Sequence, residues 1–138
     1  MIEFRLLDEF SGDMLERIAG FYITANWITA DDDTSFLLPA LQGSFLVAGA
    51  FDESGVLCGI ARVLSDGCSD AYIQDVVVAP ECRSKGVGGG LIRLLTAELR
   101  RRGVDWIALV GEPGTEAFYR KLKWHEKDGF VLWKAPEV

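Results

Sequence analysis

The chain has 138 residues, of which 49% are hydrophobic and 25% charged, and a formal net charge of −7 at neutral pH. That length fits one compact domain, and the composition is that of an ordinary globular protein, which sets aside disorder and a membrane span. The negative charge excludes a large nonspecific nucleic-acid footprint, which needs clustered Lys and Arg, and it matches a cationic partner better.

The amino end, Met1-Ile2-Glu3-Phe4-Arg5, carries an acid and no long apolar core, so it does not read as a secretory signal, and the cytoplasm follows by default. Apolar runs such as 73–80 are too short to cross a bilayer. Cys58, Cys68 and Cys82 match no zinc spacing and imply no disulfide framework, so no metal is expected.

In chain order, residues 2–7 read as a first strand. Met14, Leu15, Ile18, Ala19 and Tyr22 recur at helical spacing within 13–25, with Ser11 or Asp13 as the cap. Trp27 and the acidic run Asp31-Asp32-Asp33 follow, then a short helix over 36–41 capped by Asp33 or Thr34. Two apolar runs, 45–51 and 56–64, flank Asp52-Glu53-Ser54-Gly55 and predict a hairpin. A third run, 71–78, ends at Pro80. A glycine-rich turn with Gly86, Gly88, Gly89 and Gly90 leads into a helix marked by Leu91, Ile92, Leu94, Leu95 and Leu99, which stops at Gly103. A strand at 106–110, a helix at 115–122 and a hairpin over 124–134 turned at Asp128-Gly129 complete the chain. The strand-helix-strand step from 71 to 110 makes those two strands parallel, while the hairpins are antiparallel, so the sheet is mixed.

The block from Ile73 to Gly88 carries the chemistry. A tight glycine turn between a strand and a helix leaves backbone N–H groups without partners at the positive end of the helix dipole, which makes an anion cradle flanked by Arg83 and Lys85. A P-loop is excluded because no Gly-Lys pair exists, and a dinucleotide fingerprint starting at Gly86 fails at Leu91. What remains, Arg83-x-x-Gly86-x-Gly88 after a strand ending in Val-x-Pro-Glu, resembles the acetyl-coenzyme A signature of the GNAT acetyltransferases. Ala117 to Trp124 resembles the family's later helix end, from which a tyrosine commonly acts on the coenzyme sulfur. The family's Gly-Phe there is Lys123-Trp124 here, and the asparagine often found ahead of that helix is replaced by Glu112 or Gly114.

The resemblance implies an α+β, α/β/α-layered GNAT fold over residues 1–138 as a single domain, with a mixed central sheet of about six or seven strands and a splay between two parallel strands. It implies an N-acetyltransferase that takes acetyl-coenzyme A as cosubstrate. Its backbone at Val76 and Val78, on a bulged strand, would hold the pantetheine arm and thioester oxygen, and Arg83, Ser84, Lys85, Gly86, Val87 and Gly88 the pyrophosphate. Tyr119 would protonate the departing thiolate. Asp75 is the first candidate for a carboxylate that assists amine deprotonation and Glu112 the second; the other reading of Asp75 is an acid that satisfies the backbone or Arg62.

The loop between the first two helices would wall the acceptor site, which makes Trp27, Asp31, Asp32 and Asp33 substrate-binding candidates; the alternative is a solvated loop with a helix cap, and Trp27 and Phe36 read either as acceptor-facing or as core. The expected partner is a small cationic amine, with neither nucleic acid nor membrane, and a homodimer is possible. His125 has no nearby Ser or Cys in sequence, which excludes a nucleophile-base triad with Cys82. The rival class is a GNAT-shaped module that binds acyl-coenzyme A without catalysis.

Overall fold

A computed structural model describes residues 1–137. Its elements in chain order are β1 (Glu3–Leu6), α1 (Gly12–Thr24), α2 (Leu37–Gln42), β2 (Leu46–Phe51), β3 (Leu57–Ser65), β4 (Asp70–Val78), a 3-10 turn (Pro80–Cys82), α3 (Val87–Arg101), β5 (Trp106–Leu109) and α4 (Glu116–Lys121). The strands form one sheet in the order β1-β2-β3-β4-β5, with the first four antiparallel in sequence and β5 parallel to β4 across the α3 crossover. The chain divides into two compact units, Met1–Ala108 and the residues from Leu109 onward.

Ser11 caps α1 by accepting the Met14 N–H at 3.1 Å, and Ile18, Phe21 and Tyr22 form its buried face. Strand β2 and the first part of β3 are covered on both faces: every residue of β2 and Leu57–Ala61 of β3 is buried, because helices lie on either side of the sheet. The two sides can be told apart by parity. Gly59 on β3 faces Val87 and Leu91 of α3, whereas Arg62, an odd number of residues along the strand, faces the other way and joins the network that includes Tyr22 of α1. The layering is therefore helix, sheet, helix.

Helix α3 begins earlier than its sequence suggests. Gly88, Gly89 and Gly90 lie inside it and are buried, not in a turn ahead of it. Glycine is a poor helix former, and here close packing offsets that cost: a Cβ on Gly90 would sit 2.1 Å from the Phe4 ring of β1, so only glycine lets helix and strand approach this closely. Leu91, Ile92, Leu95 and Leu99 are then buried against the sheet, each contributing roughly 1.5–3 kcal/mol. Among the described residues no helix is long and apolar enough to cross a membrane.

Three local expectations are corrected. Helix α2 has no side-chain cap, because Asp33 turns back to accept the Ser35 N–H and Oγ–H, both at 2.9 Å. Five strands form among the described residues, fewer than the six or seven expected. The difference lies at the expected hairpin over 124–134. Its turn is present, with Gly129 at φ 84° and the Phe130 N–H on the Lys127 carbonyl, but no strand flanks it and Phe130, Val131, Leu132 and Trp133 stay exposed. A two-stranded ribbon is marginal in water without a further strand or helix against its apolar face.

Candidate functional site

The middle of β4 is irregular. Ile60 pairs with Val77 and Arg62 with Gln74, so Ala61 alone opposes both Asp75 and Val76, and β4 holds one extra residue there. Asp75 takes φ 55°, the left-handed conformation that a bulge of this kind requires and that glycine usually supplies. Aspartate is among the few side chains that visit it. The extra residue reverses the side-chain parity of the strand. Ala71 and Ile73 are buried before it and Val77 after it, but Val77 is now on the face opposite to theirs.

The Asp75 carboxylate is engaged. Its Oδ2 accepts from Tyr22 Oη at 2.8 Å and from Arg62 Nε at 2.7 Å, and Arg62 Nη1 also donates to Ser44 Oγ at 3.3 Å. The Asp75 and Arg62 side chains are only 25% and 17% exposed. Burial, then the neighbouring carboxylate, push the Tyr22 phenol well above its ordinary range, so it stays a donor. The Tyr22 ring meets Trp27 edge-on at 5.1 Å and lies 6.4 Å from Phe36, which links Trp27 to Asp75 through one side chain. Tyr22 is the residue that sequence reading missed: it was one more apolar position on a helix stripe. The signal available was that a buried tyrosine needs a partner for its hydroxyl.

From Val78 the chain passes through the 3-10 turn into an exposed loop, Arg83 to Gly86. Ser84 and Gly86 take φ 64° and 77°, and alternation through left-handed residues is how successive N–H groups form a concave anion site. The N–H groups of Ser84, Lys85 and Gly86 meet no backbone acceptor among the described residues, and the first intrahelical bond runs from Gly90 to the Gly86 carbonyl, which leaves Val87, Gly88 and Gly89 without one. A Cβ on Gly86 would meet nothing within 4 Å, so the space over the loop is open. Arg83 and Lys85 are exposed beside it. The loop and the start of α3 fit a diphosphate.

The remaining candidates lie elsewhere. Asp31, Asp32 and Asp33 are exposed between α1 and α2; Asp32 accepts the Thr29 N–H at 2.8 Å, and the Ser35 bonds hold the Asp33 carboxyl below the usual carboxylate range. Within the second unit, Tyr119 is half-buried on α4, 4.9 Å from the Phe118 ring and 6.3 Å from Trp124. Burial first, then the Glu112 charge, raise its phenol above the ordinary value. Lys123, standing where the family pattern has glycine, takes φ 72° at the end of this helix.

A family model described as the acetyltransferase (GNAT) family matches residues 8–124. Serotonin N-acetyltransferase 2, chloroplastic, from Oryza sativa subsp. japonica is 40% identical over 78 residues, 56% of this chain and 39% of that protein. GCN5-related N-acetyltransferase 1, chloroplastic, from Arabidopsis thaliana is 42% identical over 91 residues, 65% of this chain and 46% of that protein. The chain thus spans less than half the length of these curated relatives. Among solved structures, a GNAT family acetyltransferase from Streptococcus pneumoniae TIGR4 aligns with a TM-score of 0.78 at 22% identity, covering 99% of this chain and 100% of that one. At that identity the likeness establishes the fold.

Proposed function

The chain belongs to the acetyltransferase (GNAT) family, and from that premise we propose that it binds acetyl-coenzyme A and transfers the acetyl group to a primary amine of a small cationic molecule. The observation that carries this reading is the continuous path of β4 bulge, open loop and α3 N-terminus, with a free N–H array where a diphosphate is expected.

Acetyl-coenzyme A supplies the acetyl group as a thioester. Backbone at Val76 and Val78 orients its arm, and the N–H groups from Ser84 to Gly88, with Arg83 and Lys85, hold its phosphates. An alkylammonium with a pKa of about 10.4 must lose a proton before it attacks, at a cost of roughly 4–5 kcal/mol at neutral pH. A carboxylate assists directly or through water, and Asp75 and Glu112 are the two candidates for it. Tyr119 gives a proton to the departing thiolate; a phenol of ordinary pKa, about 10, already carries that proton at neutral pH, and burial raises it further. Trp27, Asp31, Asp32 and Asp33 face the incoming amine, the acids by long-range attraction. A cytoplasmic location accords with three unpaired thiols.

The test is thiol release from acetyl-coenzyme A with a panel of polyamines, aminoglycosides, arylalkylamines and amino acids, run beside thermal shift with the coenzyme alone. Coenzyme at 100 times its dissociation constant adds about 2.7 kcal/mol of stability. An unmoved melting temperature overturns the coenzyme site. A clear shift with no thiol release for any amine makes the chain an acyl-coenzyme A binding module.

A further inference from the structure

The bulge in β4 is strained at Asp75. A non-glycine residue at φ 55° is sterically unfavourable and persists only where its surroundings hold it. Two elements do so through one oxygen: Tyr22 from α1 and Arg62 from β3 both donate to Asp75 Oδ2, and Arg62 is itself anchored to Ser44 in the loop after α2. The side-chain network grips the one residue that β4 has in excess, next to Val76, whose backbone orientation the bulge sets. A slip of that register by one residue would turn Val76 over to the other face.

We propose that Tyr22 and Arg62 are positioning residues that lock the β4 bulge through Asp75, and that the contribution of Asp75 to acetyl transfer is this lock rather than proton acceptance from the amine. The proposal rests on the acetyltransferase reading for its meaning and for its affinity and turnover readouts; the melting readout stands without it. A proton acceptor needs a free carboxylate lone pair facing the amine, while the lock needs Oδ2 where it is found, shared by a guanidinium and a phenol. Glycine separates the two roles, because it adopts the left-handed conformation without a side chain. A base is lost equally in Asp75→Ala and Asp75→Gly; the left-handed backbone that the lock maintains is disfavoured in the first and adopted without any lock in the second.

The experiment compares the wild type with Asp75→Ala, Asp75→Gly and Tyr22→Phe by acetyl-coenzyme A dissociation constant, melting temperature and turnover. The lock predicts that Asp75→Ala weakens coenzyme binding by roughly fivefold or more, that Asp75→Gly recovers most of that loss, and that Tyr22→Phe shows a smaller loss in the same direction. Asp75→Gly melts higher than Asp75→Ala by about 2 °C or more, since alanine is strained where φ is positive. Turnover follows binding, with Asp75→Gly at least about tenfold above Asp75→Ala. Coenzyme affinity unchanged in Asp75→Ala, or Asp75→Gly no better than Asp75→Ala in affinity and melting, overturns the proposal. A wild type that binds coenzyme but acetylates no amine ends the functional reading and leaves the lock to be decided by affinity and melting; a wild type that binds none leaves the melting of Tyr22→Phe to decide it, a native value overturning the lock.

Discussion

Helices α3 and α4 both carry residues assigned to the chemistry, and they are built differently. Helix α3 runs for 15 residues, buries Leu91, Ile92, Leu95 and Leu99, and is bounded by left-handed glycines, Gly86 at φ 77° and Gly103 at φ 88°. Helix α4 has six residues, none of them buried, and is followed after Leu122 by Lys123 at φ 72°. A helix that short has little stability of its own. The helix behind the proposed anion cradle is therefore set by tertiary packing, while the segment bearing Tyr119 buries no residue of its helix and is followed by a strained one. Binding should depend on the first helix and turnover on the second, which mutations can check.

The largest effect is expected at the entry of α3. In Gly86→Val a β-branched residue is forced to positive φ, and its side chain stands in the open space over the N–H groups. Acetyl-coenzyme A affinity should fall by roughly 100-fold or more, with a melting temperature lowered by only a few degrees because no packing is broken. Gly90→Val, four residues on, should do the reverse and cost the fold first, since the Phe4 ring occupies that space. Calorimetric titration with thermal melting of both variants tests the division; a folded Gly86→Val with native affinity removes the cradle from the site.

That contrast also explains what the sequence could reveal. The Arg83 to Gly88 loop and the Ser11 cap were legible because each depends on a local rule: which residue accepts a left-handed turn, and which side chain meets a free N–H. The sequence places the glycines at 88–90 in the turn, whereas they lie inside α3; for Gly90 the reason is Phe4, more than eighty residues away in sequence. The hairpin over 124–134 was drawn from the same kind of local signal, and its turn does form, but strand pairing depends on partners that a local pattern does not specify. The sequence singles out Asp75 as an acid on the central strand and offers Arg62 as its alternative partner, and that pair is present at 2.7 Å; what it does not show is Tyr22, brought in from α1 to the same oxygen.

Next in size is Tyr119→Phe. Removing only the hydroxyl should lower turnover by roughly 100-fold and leave coenzyme affinity within about twofold. The pH profile sharpens this. Tyr119 must be protonated to act, and its raised pKa places its loss of function above pH 10, beyond the ordinary tyrosine value. The amine must be deprotonated, so kcat/KM for an alkylamine should rise about tenfold per pH unit from 7 towards 9, with no descending limb from Tyr119 in that range. Near-native turnover in Tyr119→Phe, with chemistry shown to limit the rate, would return this residue to packing against Phe118 and Trp124.

A smaller and opposite effect is expected at the far end of α4. Lys123→Gly restores a residue that takes positive φ without strain and should stabilise the segment by about 1 kcal/mol, since a lysine gains little there from its exposed side chain. Hydrogen exchange over 116–123 should slow by roughly fivefold, with coenzyme affinity unchanged. If exchange is unaltered, the strain at Lys123 is relieved by some other contact and the softness assigned to α4 is misplaced.

The smallest effect concerns the acidic run, where the two helices' division of labour no longer applies because the residues act at a distance. Asp32 and Asp33 already serve the loop, taking the N–H groups of Thr29 and Ser35, so replacing them with Asn keeps most of the turn while removing the charge. Between exposed groups attraction is screened within about 8 Å at physiological salt, so the run should influence encounter rather than the chemical step. The triple variant Asp31→Asn, Asp32→Asn, Asp33→Asn should raise KM for a cationic amine by about two- to threefold at low salt, with kcat unchanged and the difference vanishing above roughly 0.3 M salt. A neutral amine should show no change at any salt. An equal KM increase for neutral and cationic amines would mean that the loop was reshaped, and no increase at low salt would mean that these three carboxylates do no more than build the turn between α1 and α2.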